Sequence, residues 1–110
     1  MNIEYRTKWT VENGIAVIRQ LQNTAHLCGY HLALAGGILN RGYSAKDLDI
    51  MVLPMGSLGQ KWETFKIEIE QTLNITVDNL SDSYPDETAA GRAVYVAMNH
   101  PNGRIDFLRY

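Results

Sequence analysis

Apolar and polar positions alternate along this chain in two rhythms. After Thr10, a side chain suited to capping a helix, Val11, Ile15, Ile18, Ala25 and Cys28 recur at steps that bring them onto one helical stripe, which Gly29 ends. The short apolar run from His31 to Ala35 stops at Gly36 and Gly37 and predicts a buried strand. A short helix over Ile38 to Arg41 and a loop from Gly42 to Lys46 then lead to a second strand, Asp47 to Leu53, closed by Pro54. Leu58, Trp62, Phe65, Ile69 and Leu73 recur at steps of three and four. Lys61, Glu63, Lys66, Glu68 and Glu70 lie mostly off that stripe, which makes this the clearest amphipathic helix. Ile75 to Leu80 predicts a third strand, followed by the polar loop SDSYPDETAAG. Ala93 to Met98 and Arg104 to Leu108 bracket the turn His100-Pro101-Asn102-Gly103 and predict a hairpin. Strands mixed with two long helices indicate an α/β (α+β) fold, a mixed β-sheet flanked by helices. With no repeat or linker in view, residues 1–110 are expected to form a single domain.

Composition narrows the classes. A net charge of -2 gives no general basic field, so any polynucleotide partner needs a local patch. The single cysteine, Cys28, has no internal disulfide partner and is expected in the core. The start MNIEYRTKWT has no apolar signal core, and no run approaches the roughly 20 apolar residues of a membrane helix. A soluble cytoplasmic protein is the expectation. His26, His31 and His100 lack the close spacing of a zinc motif, and Asp82, Asp86 and Glu87 lack that of a calcium loop. Trp62 and Phe65 are expected to pack in the core, whereas Tyr43 sits in a loop near the acids.

The chemistry lies in LAGGILNRGYSAKDLDIMVLP. Side chains alternate across a strand, so Asp47 and Asp49 share one face while Leu48, Ile50 and Val52 turn together to the core. Two carboxylates so close repel one another unless a hard divalent cation with oxygen ligands, such as Mg²⁺, holds them. Upstream, the paired glycines Gly36 and Gly37 end a strand and open a short helix, where bare backbone amides can approach phosphate oxygens. Strand, Gly-Gly, short helix, loop and Asp-x-Asp strand together put phosphate donors and metal ligands at one edge of a sheet.

Gly36-Gly37, followed eleven positions later by Asp47-Leu48-Asp49, resembles the signature of the DNA polymerase beta-type nucleotidyltransferase superfamily. That group includes tRNA CCA-adding enzymes, poly(A) polymerases, aminoglycoside adenylyltransferases and minimal nucleotidyltransferases. The resemblance implies a third carboxylate on a later strand, and Asp106 in GRIDFL is the match. Alternation agrees, since Ile105 and Phe107 would face the core and Asp106 the other side.

The resemblance further implies metal-assisted transfer of a nucleoside monophosphate from a nucleoside triphosphate to a hydroxyl on RNA, protein or a small molecule. Asp47, Asp49 and Asp106 would bind two Mg²⁺ ions, and Gly36 and Gly37 would contact the triphosphate through their amides. Arg41, Ser44 and Lys46 are candidates for further phosphate contacts, as donors on the intervening loop. Tyr110 follows Asp106 by four residues, so a bare catalytic core is expected, working as a homo-oligomer or with a separate helical subunit. The alternative of another class is a catalytically silent module that binds nucleotide or a partner protein in an antitoxin-like regulatory role.

Overall fold

The computed structural model describes residues 9–36, 38, 42–44, 47–56, 59–80 and 93–110, with 43 and 44 described by their backbone. β1 (Trp9–Thr10) leads directly into α1 (Val11–Leu27), where the Asn13 amide donates to Thr10 Oγ1 at 3.1 Å and completes the expected cap. α1 buries Gly14, Val17, Leu21 and Ala25, while Val11 and Ile15 are exposed, against the expected stripe. Gly14 explains the rotation. A Cβ there would come within 2.9 Å of Leu34 and 3.0 Å of Leu48, so the missing side chain lets α1 settle on the sheet along this line. Ile18 packs at the margin of the core, and Cys28 is buried as expected, which pushes its thiol pKa up.

At the end of α1, Gly29 takes φ 86° and its amide donates to the His26 carbonyl. The amides of Met55 and Lys61 donate to the carbonyls of Gly29 and Cys28 at 2.9 and 3.0 Å. This turn therefore anchors both ends of the 55–61 connection.

Five strands form the main sheet. They are β2 (Tyr30–Ala35), β4 (Asp47–Pro54), β5 (Asp78–Asn79), β6 (Ala93–Ala97) and β7 (Arg104–Arg109), arranged in the order β2-β4-β7-β6-β5. β4 and β7 run parallel, and the other neighbours are antiparallel. β1 pairs separately with β3 (Tyr43–Ser44). The hairpin β6–β7 turns as expected, with the Gly103 amide donating to the His100 carbonyl at 3.0 Å. Ile38 is helical and accepts a bond from the Gly42 amide, while residues 39–41 of the expected short helix lie outside the described residues.

The third expected strand, Ile75 to Leu80, contracts to β5. The Thr76 amide donates to Asn99 Oδ1 and the Val77 amide to Glu70 Oε2, so side chains take the donors that a ladder would have used. α2 (Trp62–Leu73) starts at Trp62, and Leu58 of its expected stripe lies outside the described residues.

One core joins α1, α2 and one face of the sheet. Leu48, Ile50, Val52, Ile105 and Phe107 are fully buried there with Leu21, Phe65 and Ile69. Burial on this scale supplies the main driving force for the fold. Trp62 and Phe65 pack as expected, edge-on to one another, with Tyr30 edge-on to Trp62 and stacked on Phe65, and the Arg109 guanidinium lies 5.4 Å from the Trp62 ring and 5.6 Å from that of Tyr95. Among the described residues, no helix is long and apolar enough to cross a membrane.

Candidate functional site

The sheet face away from the helices carries the acids. On β4, Leu48, Ile50 and Val52 are completely buried, and period-two alternation turns half-buried Asp47 and Asp49 to the other side. The parallel register sets Asp47 beside Arg104 and Asp49 beside Asp106. With Ile105 and Phe107 facing the core, Arg104 and Asp106 join Asp47 and Asp49 on the outer face. One oxygen from each of the three carboxylates lies within 4.8 Å of the others.

Asp106 is the most enclosed of the three, at 8% exposure. Burial pushes its pKa up. Arg104 opposes that shift, and the charge of Asp47 and a side-chain hydrogen bond with it reinforce the rise. The Arg104 side chain grips both oxygens, Nε donating to Oδ1 at 2.6 Å and Nη2 to Oδ2 at 3.3 Å. Its own pKa rises chiefly through that hydrogen bond, helped by the charges of Asp106, Asp47 and Asp49 and opposed by burial. Among the described residues, the three carboxylates thus line the cavity together with the Arg104 guanidinium. An all-oxygen donor set of this kind suits a hard cation such as Mg²⁺, so the residues present fit the metal that the sequence implies.

Gly36 follows β2 with φ 70°, next to the pair Ala35–Asp49. A Cβ at Gly36 would overlap the Asp49 carboxylate. Glycine is therefore required twice, for the left-handed backbone and for the space that the acid occupies. Gly36, the three acids and Arg104 line an open cavity of about 440 Å³ together with the apolar side chains Met51, Val94 and Leu108.

The remaining candidates divide plainly. Gly37, Arg41 and Lys46 lie outside the described residues, as do Asp82, Asp86 and Glu87. Ser44 and Tyr43 are placed by backbone, paired with Trp9 and Thr10. His26 and His31 stack with ring centroids 5.7 Å apart, while His100 packs on Trp9, its pKa lowered by burial. Arg104 is the site residue that sequence reading missed. The signal was available, because a residue two places from Asp106 on a strand shares its face.

At the level of sequence, no family and no curated protein matches the chain. A crystal structure of the Cid1 poly(U) polymerase, with Mg and 3'-dATP bound, is similar over 97% of this chain and 34% of its own, with a TM-score of 0.50 and 14% identity. The two share a fold, a nucleotidyltransferase-like mixed sheet with helices. The chain spans about a third of that polymerase's length.

Proposed function

We propose that this protein is a metal-dependent nucleotidyltransferase that moves a nucleoside monophosphate from a nucleoside triphosphate to a hydroxyl acceptor. The observation that carries this reading is the convergence of Asp47, Asp49 and Asp106 from two strands onto one point, with Gly36 held bare against Asp49. Asp47 and Asp49 would hold both of two Mg²⁺ ions, and Asp106 would complete the site beside the acceptor. Bound there, the ions supply charge neutralisation for the phosphates and a more acidic acceptor hydroxyl.

The chain's own residues then orient the reactants. Amides at Gly36 and Gly37 would meet the triphosphate, with Arg41, Ser44 and Lys46 as further donors. The acceptor oxygen bonds to the α-phosphorus as the bond to the β-phosphate oxygen breaks, and pyrophosphate leaves with that electron pair. The hydroxyl proton passes to solvent. RNA, a protein and a small molecule all carry the acceptor group that this chemistry needs.

Incubation with each labelled nucleoside triphosphate, Mg²⁺ and mixed RNA, protein and small-molecule acceptors tests the proposal against an Asp49→Asn variant. Label transfer by the wild type should fall at least about a thousandfold in the variant, equivalent to about 4 kcal/mol of barrier. No transfer by the wild type, where a control enzyme works in the same mixture, would overturn the activity for this chain alone. The silent nucleotide-binding module, or a requirement for a helical partner subunit, would take its place.

A further inference from the structure

Arg104 is the pocket residue that the proposed reaction leaves without a task. It is delivered to the acids by the strand itself, opposite Asp47 in the β4–β7 register and two residues before Asp106 on the same face. Its two nitrogens engage both oxygens of Asp106, at 2.6 and 3.3 Å. Those are the atoms that Asp106 would offer to a cation. Asp106 is too enclosed for water to screen it well, and a buried charge needs a partner, so the guanidinium is the counter-charge that lets this acid sit beside two others.

A fork of donors on both oxygens and a divalent ion drawing on the same oxygens weaken one another, because both are cations. Arg104 also lines the cavity, and 38% of its side chain is exposed, so an anion entering the cavity can reach it. Guanidinium binds phosphate oxygens with the same two-point geometry that it uses for a carboxylate. Building on the metal-site reading above, we infer that Arg104 is a resident counter-ion that competes with the second metal ion for Asp106 and is drawn off by the nucleotide's phosphates.

Two consequences follow. The ion at Asp47 and Asp49 binds without nucleotide, whereas the ion at Asp106 binds tightly only once the triphosphate has given Arg104 another anion. Coupling of this kind is reciprocal, so the second ion also tightens the nucleotide. Arg104 on this account acts on the metal site through Asp106 and on the nucleotide directly.

Mn²⁺ serves as the probe, counted by electron paramagnetic resonance on the whole chain with and without a non-hydrolysable nucleoside triphosphate analogue. In the wild type, the analogue should tighten the second ion about tenfold, within the usual range of coupling between sites. Arg104→Gln should bind the second ion about tenfold tighter than the wild type without nucleotide, and the analogue's effect on it should nearly vanish. Arg104→Lys keeps the charge without the fork and should fall between the two, which also guards against loss of folding in the glutamine variant. Second-ion binding that is unchanged or weaker in both variants, with the first ion still bound, overturns the inference and leaves the metal site standing. If the wild type binds no Mn²⁺ at all, the metal-site reading fails and the inference falls with it.

Discussion

The two faces of strands β4 and β7 are built from the same fourteen residues and obey opposite rules. On the helix side, Leu48, Ile50, Val52, Ile105 and Phe107 are wholly buried in one core. On the other, Asp47, Asp49, Arg104 and Asp106 crowd charge into a cavity, and Gly36 stands against Asp49. The first face stabilises the chain by removing apolar area from water. The second costs stability, because burial and like-charged neighbours both disfavour the ionised form of an acid. The core face thus holds the acids of the other face in place.

The largest effect that separates the faces should come from Phe107→Ala. Removing a fully buried aromatic side chain costs about 3–5 kcal/mol, read as a fall in the midpoint of chemical denaturation. Mn²⁺ binding per folded molecule should survive at low denaturant. A stability loss below about 1 kcal/mol would mean that this face is not the structural one.

Gly36→Ala should show the inverse pattern. The left-handed backbone costs alanine about 1–2 kcal/mol, and the added methyl group displaces the Asp49 carboxylate. Circular dichroism should report a folded protein while Mn²⁺ affinity falls more than tenfold. Retained affinity would separate Gly36 from the site.

How much of this was legible beforehand depended on range. Alternation along β4 and β7 exposed the acids from sequence because it is a local property of one strand. Asp106 is implied by the family resemblance, alternation agrees with it, and the same alternation puts Arg104 on its face two places earlier. Parallel pairing of β4 with β7 left no local trace, since it joins residues 57 positions apart. The rotation of α1 was missed because a glycine carries no hydrophobic signal, yet close approach at Gly14 decides which side faces the sheet. Ile75 and Val77 are buried as strand residues would be, but Glu70 and Asn99 take the neighbouring backbone donors, a contact that no periodicity encodes.

The smallest effect concerns pH. Burial raises Asp106 above the ordinary carboxylate range, so the folded chain holds this proton more tightly than the unfolded chain. The resulting stability is fully present below the unfolded value and is lost as pH rises through the raised one. With EDTA, the melting temperature should therefore decline across that window, and on the proposed reading Mg²⁺ should offset the decline because it would bind the ionised acid. An Asp106→Asn variant should decline less over the same window. A wild-type profile that matches the variant would remove Asp106 as the source.

The parallel register of β4 and β7 also has a kinetic meaning. Asp49 and Asp106 are neighbours only after a long segment containing α2 and the β6–β7 hairpin has been closed into place, and such closures are slow compared with helices and turns. A partly folded chain therefore has α1 or the hairpin without having the acid cluster. Divalent ions would find their site last in folding, so their binding would report completion of the sheet and would have little part in guiding the chain there.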